Sequence, residues 1–414
     1  MVSSGIYRER EKLKRSTLLF CFILIVIIVS PLFLVIWNFG INEQNSDPEF
    51  FVGVEYAIDN HSVEGCKALV DRVKNFTNLF VVDSVGITFD INNLNEVCDY
   101  VYDSGLYFMV FFIPLHEEDG VPTDDGQHQK LILRYNYYPH LWIADAKEKY
   151  GDKFLGTYAM DEPGGHQLDA GSSQLVTEAE NQTEAAKIYL EWLYLHLEYY
   201  LYARECEDIT VLTSDYALYW FDYKSGYDTV LAEFAWNHSR PLHVALCRGA
   251  ANVQNKEWGV MVTWTYTDDP YIVSPIELYD DLIKAYHNGA KYAVIFDHPD
   301  LYPEFGILTE DHFDALEDFW NYVNSNPDKH GTIKAEVAYV LPENFGFGFR
   351  NSADTIWGLW SADTDERTEK IWSDVNQLID QYGSRLDIVY SDPEFNDDLQ
   401  QQYDKLFFWN ETLN

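Results

Sequence analysis

The stretch "GTYAMDEPGG", residues 156–165, closes an apolar segment with two adjacent acids, a proline and two glycines. The apolar residues predict a buried strand that stops at Asp161 and Glu162. Pro163 lacks a backbone N–H donor, and the two glycines that follow allow a tight exit, so the strand cannot continue. Because adjacent side chains of a strand point to opposite faces, we expect Asp161 and Glu162 to have different roles.

Eight apolar runs of this kind alternate with helical patterns along the chain. They begin at Phe50, Asn78, Leu106, Phe154, Ile209, Thr229, Trp258 and Lys291. Near-continuous apolar strands separated by helices are typical of a parallel sheet that is buried on both faces. The number of units predicts a (β/α)8 barrel over residues 50–328, with a doubly wound open sheet as the alternative. The connection over residues 215–228 reads as a loop rather than a helix.

A second, smaller unit is predicted over residues 331–414. Apolar runs starting at Ala335, Arg385 and Tyr403 read as strands, and residues 367–383 read as a helix. The sequence therefore predicts a small α/β layer that follows the barrel. It shows no internal repeat and no low-complexity tract.

The N-terminus predicts a membrane anchor. A basic tail, residues 1–15, precedes an apolar run over residues 16–38, which is about the 20 residues that a spanning helix needs. The positive-inside rule then places the tail in the cytoplasm, and the linker at 39–49 and everything after it outside the cell. A cleaved signal peptide is the alternative, but the run is long for one and lacks an obvious cleavage site.

Two signals agree with an extracellular location. Glycosylation sequons begin at Asn60, Asn75, Asn181, Asn237 and Asn410, all beyond the predicted anchor. Four cysteines also follow the anchor, and an even number permits disulfides. The pairs Cys66–Cys98 and Cys206–Cys247 are the expected bridges, and four buried free thiols are the alternative.

Charge and missing motifs exclude several classes of protein. The formal net charge is -40, so the chain repels phosphate backbones and nucleic acid is not expected as a partner. The sequence has no His-x-His pair, no HExxH and no G-x-S-x-G elbow. The segment "FGFGFR" does not match a dinucleotide-binding loop. No cofactor and no metal are expected, and the sequence does not predict an oligomeric state.

Acidic residues close several of the predicted strands. Glu55, Asp83, Glu162 beside Asp161, Glu233 and Asp297 all fall at or near strand ends. Burying an unpaired carboxylate is costly, so such acids need an explanation that exposed helix acids do not. Barrel active sites form at the carboxyl ends of the strands, and the set therefore predicts a functional mouth.

The barrel with its Asp161–Glu162–Pro163 turn resembles the retaining glycoside hydrolases of the large (β/α)8 clan that includes β-galactosidases and cellulases. The added α/β layer resembles β-galactosidases with a second domain. The resemblance implies that Glu162 is the acid/base residue. Two positions depart from the clan pattern: Asp161 replaces an asparagine, and "VTWTYTDDP" has no glutamate where the nucleophile belongs.

Glu233, at the end of the sixth strand, is the nearest substitute for the missing nucleophile. Glycoside hydrolysis needs two carboxyl groups that flank the scissile bond, and we predict Glu162 and Glu233 for this pair. Trp236, Trp264 and Tyr266 are candidates for stacking on a sugar ring. The sequence thus predicts a membrane-anchored extracellular glycosidase, and the alternative is a non-catalytic carbohydrate-binding or structural barrel.

Overall fold

Eight parallel strands close into a barrel in the computed structural model of the protein, which describes residues 48–57, 62–113, 135–169, 175–298 and 305–413. The strands are β1 (Phe51–Ala57), β2 (Leu79–Asp83), β3 (Tyr107–Phe112), β4 (Phe154–Ala159), β5 (Thr210–Asp215), β6 (Thr229–Phe234), β7 (Glu257–Val262) and β8 (Tyr292–Asp297). β1 pairs with both β2 and β8, which closes the sheet. The predicted barrel is confirmed, and the open sheet is excluded.

The strands are buried almost from end to end. Every residue of β1, β6 and β8 is buried, as expected for strands that face side chains inside the barrel and helices outside it. β-Branched and aromatic residues dominate these runs and suit a pleated surface that is covered on both faces. Polar residues enter the strands only at a few positions, and most of those lie near the carboxyl ends.

Helices surround the barrel in the described part of the chain. They are α1 (Val63–Val73), α2 (Val85–Thr88), α3 (Ile91–Asp103), α4 (Pro139–Tyr150), α5 (Pro163–Leu168), α6 (Gln182–Glu207), α7 (Tyr219–Ser225), α8 (Arg240–Val253), α9 (Pro275–His287) and α10 (Glu310–Ser325). Several begin with side-chain caps. Ser274, for example, forms a capping box with Glu277 at the start of α9.

The connection between β5 and β6 contains a helix, α7, where the sequence predicted only a loop. Its seven residues are too few to show a helical period. Six of them are buried, because the helix lies against the C-terminal layer and α6 rather than on the surface. Gly226, with φ of 127°, ends the helix in a conformation that favours glycine.

A parallel three-stranded sheet follows the barrel. Its strands are β9 (Val337–Leu341), β12 (Leu386–Tyr390) and β13 (Lys405–Phe408), in the order β12-β9-β13. The short strands β10 (Thr355–Ile356) and β11 (Trp360–Ser361) form a separate antiparallel pair. The helices of this layer are α11 (Arg367–Tyr382) and α12 (Asn396–Gln402).

A buried ion pair joins the barrel helix α8 to β12. Arg248 donates from Nε to Asp387 Oδ1 at 2.8 Å, and both side chains are almost fully buried. Asn252 and Tyr403 donate to the other oxygen of Asp387. Gly249 lets the two backbones approach, since a Cβ atom there would lie 2.6 Å from the carbonyl oxygen of Ile388. The layer is therefore tied to the barrel by a fully satisfied polar contact.

The predicted anchor lies outside the described residues, and none of the helices that are described is long and apolar enough to cross a membrane. The expected disulfides are not formed: Cys66, Cys98 and Cys247 are buried free thiols, and the Cys206 side chain is outside the description. The helices α1 and α3 bring Cys66 and Cys98 into one core, but spacing alone did not establish a bridge.

The sequon asparagines that the structure describes are exposed. They are Asn75, Asn181, Asn237 and Asn410, and Asn60 falls outside the described residues. Exposure is compatible with glycosylation, which stays a prediction. The Asn181 side chain also caps α6 by accepting a hydrogen bond from the Glu184 N–H.

Replacing Arg248 with alanine should destabilise the protein by about 3–5 kcal/mol, because Asp387 would be left buried without its cation. Arg385→Ala is the matched control, since Arg385 pairs with Glu336 on the surface and both side chains are 49% exposed. That change should cost less than about 1 kcal/mol. Urea unfolding of the full chain measures both effects, and equal losses would contradict this account of the interface.

Candidate active site

A cavity of about 590 Å³ opens at the carboxyl ends of the barrel strands. Eight of the nine residues proposed from the sequence line it. They are Glu55, Asp83, Asp161, Glu162, Glu233, Trp236, Trp264 and Tyr266. The barrel therefore brings together side chains that are far apart in sequence, and Glu55 and Tyr266 are separated by 211 positions.

Seven further residues line this cavity and were not identified from the sequence. They are Tyr158, Met261, Thr263, Thr267, Tyr271, Phe296 and His298. Most are ordinary strand or loop residues in sequence, and only their register in the barrel places them at the mouth. The register of β6 with β7 places Met261 beside Glu233, and alternation along the chain from Met261 leads to Thr263, just after β7.

Asp215 fixes the turn that carries Glu162. Its carboxylate accepts hydrogen bonds from the N–H groups of Gly164 and Gly165, at the start of α5. It also accepts from the N–H groups of Tyr216 and Ala217 in its own loop. The loops after β4 and β5 are thus held together through one buried side chain at the end of β5.

The two glycines are needed for this close approach. A Cβ atom on Gly164 would lie 2.6 Å from the Ala217 carbonyl oxygen, and one on Gly165 would lie 2.2 Å from the ring of Tyr216. Glu162 itself has φ of 48° and ψ of 46°, a left-handed backbone conformation that is unfavourable for residues other than glycine. The "DEPGG" sequence therefore encodes a strained turn that presents Glu162 to the cavity.

Glu162 and Glu233 line the same cavity, and each affects the pKa of the other. Burial, followed by the charge of Asp161, raises the pKa of Glu162 to about 8. Burial and the nearby Glu162 likewise raise the pKa of Glu233 well above its usual range. His166, one turn after Glu162 on α5, has Nε2 3.5 Å from Glu162 Oε2. One member of the pair thus holds a proton near neutral pH.

Ser214 connects Glu233 to Asp161. Its hydroxyl lies 2.7 Å from Glu233 Oε1 and 3.1 Å from Asp161 Oδ1. Tyr158 donates its hydroxyl proton to Asp161 and lies 2.8 Å from the Ser214 oxygen. This network joins the ends of β4, β5 and β6 and orients the two acids. Tyr158 and Ser214 carry no sequence signal, because a hydroxyl inside a strand is common.

Glu55 and Asp83 form a second carboxyl pair in the same cavity. Both side chains line the cavity, and Glu55 is only 1% exposed. Burial raises the pKa of Glu55 to about 8, and burial and Glu55 together raise that of Asp83. The pair comes from β1 and β2, whereas Glu162 and Glu233 come from β4 and β6.

Two expectations about the acids are corrected by the structure. Asp161 and Glu162 do not point to opposite faces of a strand, because β4 ends at Ala159 and both side chains line the cavity. Asp297 is not among the lining residues. Its Oδ1 accepts a hydrogen bond from the Ile307 N–H at 3.0 Å, so this acid closes the loop after β8.

Aromatic side chains form one wall of the cavity. Trp236 is 40% exposed. Its backbone N–H donates to the Trp264 carbonyl oxygen at 2.7 Å, and this hydrogen bond joins the loops after β6 and β7. The Trp264 ring packs against Phe296 and Tyr271. Trp236 therefore presents an open ring surface, whereas Trp264 is also part of the packing of the wall.

The C-terminal layer supports the loops on the other side. Arg350 pairs with Asp169, which follows α5, and also with Asp354. Asp169 in turn accepts a hydrogen bond from the Tyr216 hydroxyl at 2.7 Å. Gln167 donates to the carbonyl oxygen of Trp357. The residues before and after β10 thus support α5, whose N-cap residue is Glu162.

A slightly larger cavity of about 680 Å³ lies at the opposite end of the barrel. Its lining includes Glu257 and Lys291, at the amino ends of β7 and β8, and it borders the C-terminal layer. Barrel enzymes place their chemistry at the carboxyl ends of the strands, so this larger space is not the candidate site.

The fold resembles that of (β/α)8-barrel glycoside hydrolases, at low sequence identity. The structure of GH5_18 from Streptomyces cattleya in complex with GlcNAc matches with a TM-score of 0.56 and 12% identity, over 87% of this chain and 99% of that one. The α-L-fucosidase isoenzyme 2 from Paenibacillus thiaminolyticus matches with a TM-score of 0.48 and 11% identity, over 82% and 58% of the two chains. No family model matches the sequence, and no curated protein does.

Replacing Glu55 with glutamine should reduce the loss of stability at rising pH. Because the pKa of Glu55 is raised to about 8 in the folded protein, the native state binds an extra proton between pH 4.5 and about 8. Its contribution to stability is present below pH 4.5 and is lost as pH rises to about 8, at up to about 1.4 kcal/mol per pH unit. Glutamine at this position removes that dependence.

Urea unfolding at several pH values between 5 and 8.5 measures this slope. Met261→Leu is the control in the same cavity, since it changes packing by a small amount without removing an acid. Its curve should run parallel to that of the unchanged protein. A Glu55→Gln curve that is also parallel would contradict the assignment of a proton to the Glu55–Asp83 pair.

Proposed function

We propose that the protein is a glycoside hydrolase that acts on a polysaccharide or glycan through paired carboxyl groups. The observation that carries this proposal is that Glu162 and Glu233 line one cavity at the carboxyl ends of the strands, where each affects the pKa of the other. Such an arrangement meets the need for two neighbouring carboxyl groups, of which one holds a proton at neutral pH. The likeness to glycoside hydrolase barrels supports the same class.

The proximity of the two acids favours a retaining mechanism. Inverting enzymes hold their carboxyl groups about 6.5–9.5 Å apart to admit a water molecule, whereas retaining enzymes hold them about 5–5.5 Å apart. Each of Glu162 and Glu233 affects the pKa of the other, and Ser214 bonds Glu233, which supports the closer arrangement.

In the proposed first step, Glu162 gives its proton to the glycosidic oxygen as the bond from that oxygen to the anomeric carbon breaks. The Glu233 carboxylate attacks the anomeric carbon and forms a glycosyl ester. Ser214 stabilises the ionised form of Glu233 through its hydrogen bond, and Asp161 raises the proton affinity of Glu162. Glu162, now ionised, then takes a proton from the water that hydrolyses the ester.

Glu162→Gln and Glu233→Gln should each lower kcat by roughly 10²–10⁴-fold, because each removes a group that transfers a proton or forms a bond. The assay is turnover of a panel of aryl glycosides and oligosaccharides by the full chain. Glu96→Gln is the control, since its side chain is 58% exposed on α3. Proton NMR of the first product should show the anomer of the substrate.

Three results would count against the proposal in different ways. Undiminished turnover in both variants would remove these acids from the mechanism. A first product of inverted configuration would remove Glu233 as nucleophile but keep the pair as acid and base. Binding of glycans without turnover by the unchanged protein would favour the non-catalytic carbohydrate-binding function instead.

We also propose that residues 16–38 anchor the protein, with the barrel and the C-terminal layer outside the cell. The support is the length of the apolar run and the basic tail before it. The full chain should sediment with membranes and stay there after a carbonate wash, whereas a chain starting at Asn45 should be released. Protease added to intact cells should digest the barrel. Protection of the barrel would contradict the orientation, and release of the full chain would contradict the anchor.

A further inference from the structure

The Glu55–Asp83 pair has no task in the proposed hydrolysis. Paired-carboxylate chemistry uses two acids, and Glu162 and Glu233 already supply them. Glu55 and Asp83 nevertheless line the same cavity, on strands β1 and β2. Burial in this cavity raises the proton affinity of both acids.

Charges in this cavity are unbalanced. Its described lining has five carboxyl groups, no lysine and no arginine, and His298 is its one imidazole. The Oε2 atom of Glu55 is buried and accepts no hydrogen bond from an N–H or hydroxyl of the described residues. Burying a polar atom without a donor is unfavourable, so this atom points to a donor that the ligand supplies.

A positively charged donor suits this environment better than a neutral or anionic one. An ammonium group carries three N–H donors and no acceptor, so it can bond Glu55 and Asp83 together. Its charge also offsets that of the surrounding acids, whereas a uronate or sulfate group would add to their repulsion. A neutral hydroxyl donates one hydrogen bond and leaves the charge as it is.

We propose that the cavity binds a sugar unit with a free amino group, and that Glu55 and Asp83 hold its ammonium. This proposal rests on the proposed function, since it names the substrate class of the same site: a glycan that contains de-N-acetylated amino sugars. Glu55 and Asp83 are binding residues in this account and take no part in the bond cleavage.

The proposal is tested by calorimetric binding to the full chain carrying Glu162→Gln. The ligands are glucosamine, galactosamine and mannosamine, each beside its N-acetyl form and its parent hexose, so that no particular linkage is assumed. At least one amine should bind about tenfold or more tightly than both of its partners. The preference should disappear in Glu55→Gln and in Asp83→Asn, and it should persist in the remote control Glu96→Gln.

Proton release gives a second readout at the same site. A bound ammonium favours the ionised form of Glu55, so a proton should leave when the amine binds near pH 7. The titratable groups that face Glu55 are Asp83, Asp161, Tyr158 and Asp297. Titrations in two buffers of different ionisation enthalpy measure the release, which should fall in Glu55→Gln.

Failure of this proposal is distinct from failure of the proposed function. Equal or tighter binding of the hexose or the N-acetyl sugar, or no binding of any of the three amines, would overturn the amine assignment. Turnover of neutral glycosides alone would do the same while leaving the glycosidase proposal intact. Amine binding that depends on Glu55, in a protein without turnover on any glycoside, would support the amine site and overturn the hydrolase.

Discussion

The candidate site depends on Asp215, whose carboxylate accepts hydrogen bonds from four backbone N–H groups. This one carboxylate sets the distance between the loops after β4 and β5, and it thereby fixes where Glu162 stands. Burial and the charge of Asp215 raise the pKa of Asp222 on α7, whose Oδ1 accepts a hydrogen bond from the Tyr189 hydroxyl at 2.7 Å. The left-handed backbone conformation of Glu162 is tolerated because the surrounding contacts hold the turn in place.

The mouth of the barrel concentrates acids at a cost to stability. Each carboxyl group that keeps its proton through burial does so because ionisation there is unfavourable, and pairing allows two groups to share one proton. Burial raises the pKa of Glu162 and of Glu55 in this cavity to about 8. The large apolar core and the fully bonded Arg248–Asp387 contact stabilise the rest of the unit. Stability and chemistry are therefore carried by different regions of the same fold.

The barrel could be predicted from sequence because its eight strands are long apolar runs separated by helices, and the acids at their ends were visible for the same reason. Glu55, Asp83, Glu162 and Glu233 were found in this way and do line one cavity. Ser214, Tyr158 and Asp215 were missed, because their roles arise from strand register and loop approach, which no local pattern records. The seven-residue helix α7 was missed because it is shorter than the window in which a helical period can be recognised. The disulfide prediction was wrong for a related reason, since spacing does not give the direction of the Cβ atoms.

Two carboxyl pairs in one cavity have different consequences because their surroundings differ. Glu233 receives a hydroxyl donor from Ser214, which lowers the free energy of its ionised form and suits a group that must lose its proton. Among the described residues Glu55 has no such donor at Oε2, and Asp83 is its neighbour, so its ionised form gains from a ligand that brings both hydrogen bonds and positive charge. The first pair is thus prepared by the protein for proton exchange. The second pair is assigned a binding role because the described part of the chain provides no donor for Glu55 Oε2, which a ligand can then supply.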